Sequence, residues 1–192
     1  MNHCLAKSRI VLSLNLIFLI SIFSKGEAIG QEMSLETISI SNGLASPQVR
    51  ALLQDDYGLI WLGTGNGIQS YNGFTWKTYR NIIGDSTSLQ NNAVIDIAKD
   101  SLQNLWIGNE FGTSYYDRAK NIFKNYNFDS IFQTAGLGRT PSLLVDSQGR
   151  VWAGTLGFGI LRFDPEKDTW VMAPYTQING RESTWRICKT RL

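Results

Sequence analysis

The chain has 192 residues, of which 43% are hydrophobic, 11% aromatic and 18% charged, with 18 glycines, four prolines, two cysteines and one histidine. That balance is typical of a chain that buries a core, and it excludes a disordered tail, a collagen and a disulfide scaffold. The formal net charge of +2 has to be divided along the chain before it says anything about partners.

Lys7 and Arg9 precede an apolar run over residues 10–23, interrupted by Ser13, Asn15 and Ser21. The run is short of the roughly 20 residues that a helix needs to cross the hydrocarbon core. It suits a secretory leader, and Gly26/Ala28 or Ala28/Gly30 place small residues where signal peptidase requires them. Residues 1–30 are therefore expected as a cleaved signal peptide. Its removal leaves fifteen basic against fifteen acidic residues, which lacks the basic footprint of a nucleic-acid binder. The histidine, His3, and Cys4 leave with it, and Cys188 remains without a disulfide partner. A Ser-His-Asp triad, a His-assisted cysteine nucleophile and a His-ligated metal are excluded for the remainder. No catalytic residue, metal or cofactor is expected.

The remainder repeats. Asp55, Trp61 and Gly63 recur as Asp100, Trp106 and Gly108 and again as Asp146, Trp152 and Gly154, with the tryptophans 45 and 46 residues apart. Each copy continues into a Gly-x-x-x-Tyr/Phe-Asn/Asp stretch, ending at Tyr71-Asn72, Tyr116-Asp117 and Phe163-Asp164. A period of this length signals a propeller or solenoid.

Within copy one, strands are expected at 49–54, 60–64, 68–71 and 75–80, with Asn72-Gly73 as a two-residue hairpin turn. Copy two gives 94–98, 105–108, 113–116 and 122–126; copy three gives 142–145, 151–155, 160–163 and 169–172. Four antiparallel strands in about 45 residues make one propeller blade. The fold class expected is all-β, about three and a half blades in an incomplete ring. Residues 31–43 form a lead-in with an outer strand at 35–40, 44–80, 89–126 and 139–175 form three blades, and 183–192 starts a fourth.

The repeated residues read first as architecture. The tryptophan packs between blades, the glycine two residues on lets backbones approach, and the aspartate opens the hairpin turn. Gly63, Gly65 and Gly67 alternate like a phosphate loop but lie between two strands rather than before a helix. Asp55-Asp56 and Glu166/Asp168 are turn residues and form no paired-carboxylate hydrolase site.

The run from Ile40 through Gly43-Leu44, Val49, Gln54-Asp55, Trp61-Leu-Gly63-Thr64 and Gly67 to Tyr71-Asn72-Gly73 resembles the two-component regulator propeller repeat. That family builds periplasmic sensors of hybrid histidine kinases, which are anchored in the inner membrane and often detect saccharides. The resemblance covers residues 36 to about 190. In the second copy Gln103-Asn104 replaces the usual turn glycine and Asn109 the usual threonine, and both read as drift. By this resemblance the chain is the N-terminal ligand-sensing portion of such a regulator, ending before its kinase, with an oligosaccharide or other small extracellular ligand as partner. The loops after each second strand share one face of a propeller, so Asn66, Glu110, Phe111 and Phe158 are the candidate ligand residues. The connections over 81–92 and 127–140 lie beside them. Open edges at 35–40 and 184–188 would favour self-association. A secreted scaffold or assembly propeller and a propeller lyase or hydrolase are the alternatives.

Overall fold

The structure, a computed structural model, describes residues 37–136 and 138–173. The expected leader, the start of a fourth blade at 183–192 and the first part of the lead-in lie outside the described residues. Within them the chain forms three consecutive four-stranded antiparallel meanders. The first holds β1 (Val49–Gln54), β2 (Ile60–Thr64), β3 (Gly67–Tyr71) and β4 (Trp76–Tyr79); the second holds β5 (Asp96–Lys99), β6 (Leu105–Asn109), β7 (Gly112–Asp117) and β8 (Ile122–Asn127). The third holds β9 (Ser142–Val145), β10 (Val151–Gly154), β11 (Ile160–Asp164) and β12 (Thr169–Met172). Each strand pairs with its sequence neighbour within its blade, and among the described residues the three sheets do not close a ring. This is the expected all-β architecture of propeller blades.

The blades stand side by side through their first strands, β5 lying beside both β1 and β9. Two cores fill the seams. Ala51, Trp61 and Ile68 of blade 1 meet Ile97, Leu105, Ile107, Tyr116 and Phe123 of blade 2. Ala98, Trp106 and Tyr126 of blade 2 meet Leu143, Val151, Ala153, Leu161 and Trp170 of blade 3. Both faces of the middle blade are therefore apolar, which is why β6 is buried along its whole length instead of alternating. The glycines two residues after Trp61 and Trp106 admit the neighbouring blade. A Cβ on Gly108 would lie 2.6 Å from the carbonyl oxygen of Thr140, and one on Gly63 would lie 2.6 Å from Val94 Cγ1. Gly112 adds a backbone reason, since its φ of +142° and the Tyr126 carbonyl 2.1 Å from any Cβ both demand glycine.

Four local expectations change. Asn72-Gly73 is not a two-residue turn: Tyr71 pairs with Trp76, and residues 72–75 form a longer loop. The Asn72 side chain accepts from Phe74 N at 2.9 Å and Thr75 N at 2.7 Å, and so closes an Asx turn in place of the tight hairpin. The described part of the expected outer strand, residues 37–40, carries no strand; Ile40–Asn42 is a 3-10 turn capped by Gly43 at φ +103°. The first strand of blade 2 starts at Asp96 instead of 94, because Val94 N is drawn to Thr64 O of blade 1. The connection after β8 opens with a short helix, α1 (Phe128–Phe132), capped by Asn127, which accepts from Ser130 N at 2.9 Å. Phe128 of α1 is fully buried in the second core, with Ile131 and Phe132 packed against it.

Candidate functional site

At one end of the blades lie the β2–β3, β6–β7 and β10–β11 loops, where the four candidate ligand residues sit. Asn66 is spent on structure: its backbone N–H reaches Thr64 Oγ1 at 3.0 Å and its amide donates to Ala45 O at 3.2 Å. Glu110 faces Arg139 at 3.3 Å, both partly exposed. Phe111 keeps 43% of its surface exposed while its carbonyl accepts from Phe128 N at 2.9 Å. Phe158 is partly buried and packs on Phe132 with ring centres 4.7 Å apart. Blade 2 and the 138–140 segment thus gather Phe111, Glu110 and Arg139, whereas Asn66 and Phe158 hold loops in place. The inter-blade connections border this end as expected, with Gly67 N bonded to Asn92 O at 2.7 Å and Thr140 N to Asn109 O at 2.9 Å.

Asn109 is a working substitute for threonine rather than drift. Its Oδ1 accepts from Phe111 N at 2.9 Å, as Thr64 Oγ1 accepts from Asn66 N and Thr155 Oγ1 from Phe158 N. The lead-in uses a residue that sequence reasoning passed over. Gln69, fully buried on β3, accepts from Ala45 N at 2.7 Å and donates to Gly43 O and Thr78 Oγ1 at 3.0 Å. A long amide in the middle of a five-residue strand was its available signal.

At the opposite end each seam is closed by four rings, two from each blade. Trp61 and Tyr79 of blade 1 meet Tyr116 and Phe123 of blade 2, and Trp106 and Tyr126 of blade 2 meet Phe163 and Trp170 of blade 3. Asp55 is buried beside its tryptophan. It accepts from Trp61 Nε1 at 2.8 Å, from Tyr57 N and Leu59 N at 3.0 Å, and from Arg118 Nη2 of blade 2 at 2.5 Å. Burial opposes its ionisation, but the Trp61 and Arg118 hydrogen bonds outweigh that and hold its carboxyl below the ordinary 3.8. Asp146 holds Trp152 Nε1 at 2.9 Å in the same way, with Arg150 of its own turn at 2.7 Å. Asp100 differs, taking Leu102 N and Asn104 N at 2.9 Å and the Asn104 amide at 3.2 Å.

The Gln103-Asn104 pair is likewise not drift. Gln103 takes the left-handed conformation (φ +66°) that Gly58 and Gly149 adopt in the other turns. Its side chain accepts from Asp56 N at 3.0 Å and donates to Asp56 Oδ2 at 2.6 Å, while Asn104 Oδ1 accepts from Arg118 N at 3.0 Å. Gln103 thus ties blade 2 to blade 1, and Asn104 fixes the Arg118 turn within blade 2. Among the described residues no three His, Cys, Asp or Glu side chains are grouped to hold a metal ion, and no helix is long and apolar enough to cross a membrane.

Comparison with known proteins matches this repeat to a family. The two-component regulator propeller profile fits residues 43–66 and 88–111, the segments that contain the first two Asp–Trp hairpins. Those two segments carry the two-component regulator propeller repeat. The chain is also similar to part of histidine kinase P4 of Formosa agariphila, 42% identical over 48 residues, which is 25% of this chain and 4% of that protein. Among solved structures, the extracellular domain of what is described as a hybrid two component system from B. thetaiotaomicron superposes with a TM-score of 0.59 at 20% identity, over 76% of this chain and 20% of that one. A catalytically inactive virginiamycin B lyase from Staphylococcus aureus with quinupristin gives 0.51 at 16% identity, over 67% and 42%. At these identities the structural likeness establishes the propeller fold. The chain spans about a fifth of the first solved relative.

Proposed function

We propose that this two-component regulator propeller segment belongs to an exported sensor, non-catalytic in itself, that recognises an oligosaccharide or similar small extracellular ligand on its β2–β3 loop end. Domain limits at 1–30, 31–43, 44–80, 89–126, 139–175 and 183–192, with a periplasmic location, are part of the same reading. The observation that supports ligand recognition most is the cluster of exposed Phe111 with Glu110 and Arg139. An aromatic face flanked by a carboxylate and a guanidinium is suited to a sugar ring and its hydroxyls. Isothermal calorimetry of the full chain against a panel of neutral and acidic oligosaccharides tests it. Saturable binding by at least one glycan that Phe111→Ala weakens about tenfold or more supports the reading, on the scale of a lost interface aromatic. Binding to none, or binding untouched by that substitution, opposes it.

Self-association is proposed from the two outer blade faces. Tyr71 and Trp76, stacked at 4.2 Å, occupy in blade 1 the places of the receiving pairs Tyr116/Phe123 and Phe163/Trp170. Trp152 of blade 3 occupies that of the inserted Trp61 and Trp106 and remains partly exposed. A second copy brings the two halves of one more seam together. Sedimentation velocity across a hundredfold concentration range is expected to show reversible dimers; a strictly monomeric chain would refute it.

A further inference from the structure

The two seams share the four-ring plan but differ in the turn that faces the aspartate of the preceding blade. In the β7–β8 turn Arg118 follows Asp117, and in the β11–β12 turn Pro165 follows Asp164; each turn is four residues long, between the pairs Asp117/Ile122 and Asp164/Thr169. Arg118 reaches back into seam one, with its guanidinium 2.5 Å from Asp55 and 5.0 and 5.5 Å from the ring centres of Tyr57 and Trp61. Proline brings no such group to seam two. There the structure holds a cleft of about 830 Å³ lined by Asp100, Trp106, Tyr115, Phe163 and Pro165. Its size lies within the range of small-molecule sites.

The cleft retains the aspartate and the tryptophan of the seam-one contact, Asp100 and Trp106, while Leu102 stands where Tyr57 does and Tyr115 adds a ring where blade 1 has Ser70. Asp100 is hydrogen-bonded to Asn104 and to the Tyr115 phenol, which are neutral, so its charge is solvated but not matched as that of Asp55 is. Burial, with Asp100 and Asp117 nearby, pushes the Tyr115 phenol up to about 12. The wall cations Lys120, Lys124 and Arg150 are held by Asp117, Asp168 and Asp146, and Arg162 stays exposed.

We propose that the cleft between blades 2 and 3 binds a guanidinium-bearing ligand, the side chain of an arginine residue or a small molecule of the same chemistry, with Asp100 as counter-ion and the Trp106 and Tyr115 rings beside it. The protein itself supplies the template for the carboxylate and the tryptophan, because Arg118 meets Asp55 and Trp61 one seam earlier. A planar guanidinium matches a carboxylate and an aromatic wall together, which a lysine ammonium does less well. The cleft lies at the turn end of the blades, opposite the loop end assigned to the sugar, so the two sites stand or fall separately.

The test is calorimetry of the full chain with arginine amide, lysine amide and the peptide Gly-Arg-Gly, repeated on Pro165→Arg and Asp100→Asn. Pro165→Arg installs the residue that the equivalent turn already carries, and its melting curve reports that the fold is kept. Arginine amide is expected to bind saturably and at least about fivefold tighter than lysine amide, with both substitutions weakening it about tenfold, the scale of a charge-assisted hydrogen bond. Tighter binding of the peptide assigns the natural ligand to a polypeptide, and equal binding assigns it to a small molecule. No saturable binding, equal affinity for lysine amide, or unchanged affinity in Pro165→Arg overturns the proposal.

Discussion

Arg118 on blade 2 donates to Asp55 on blade 1 across 63 residues of sequence and 2.5 Å of space. Asp55 is fully buried and Arg118 is 22% exposed, so the pair joins the blades in a largely dry seam. Removing the cation strands a buried carboxylate. Arg118→Met, which keeps most of the stem over Trp61, is expected to lower stability by about 3 kcal/mol, measured by urea unfolding. Adding Asp55→Asn should recover part of that loss, because the stranded charge is gone. Equal stability of Arg118→Met and the natural chain would show that the seam is held by its rings alone.

The same pair sets an acid dependence. The folded Asp55 carboxyl titrates below 3.8, its ordinary value. Its ionised form is therefore favoured by folding, and the stabilisation is fully present above that ordinary value and lost as pH falls through the lower folded one. The stability difference between the natural chain and Arg118→Met should be constant near neutrality and shrink below about pH 4, once Asp55 takes up its proton. Parallel curves down to the acid transition would contradict this.

Gln103 separates repeat drift from a functional departure. If it were a degenerate turn glycine, Gln103→Gly would stabilise the protein by relieving a left-handed backbone, about 1 kcal/mol. Its two side-chain bonds to Asp56 oppose that gain with about 1–2 kcal/mol. The expected order of melting temperature is the natural chain, then Gln103→Gly, then Gln103→Ala, which loses the bonds and keeps the strain. A Gly variant above the natural chain would restore the drift reading.

The strands were legible because their chemistry is local. Trp61, Trp106 and Trp152 with their aspartates and glycines mark the same hairpin three times, and turn residues bound each strand. The seams were not, because their partners come from different repeats. Nothing near Tyr116 or Phe123 announces that they receive Trp61, and Arg118 looks like an ordinary turn residue until Asp55 is brought beside it. Gln103 misled for a related reason, since its partner Asp56 lies 47 residues away; Asn104 and Asn109 bond within their own blade, to Arg118 N and Phe111 N, and read as decay only because the other copies carry different residues there. Helix α1 was hidden by its length, five residues whose Phe128, Ile131 and Phe132 form a single apolar turn. At the loop end, exposure could not be read from residue type. Phe111 and Phe158 are the same side chain at neighbouring loop positions, yet one faces solvent and the other fills the space against α1.

Amide hydrogen exchange with and without a bound oligosaccharide bears most directly on the sensor reading. Protection is expected to concentrate in residues 108–112 and 138–140, around Phe111, Glu110 and Arg139, with the turn end of the blades unchanged. Protection confined to the turns around Asp55, Asp100 and Asp146, or none at saturating glycan, would contradict a sugar site at the loop end.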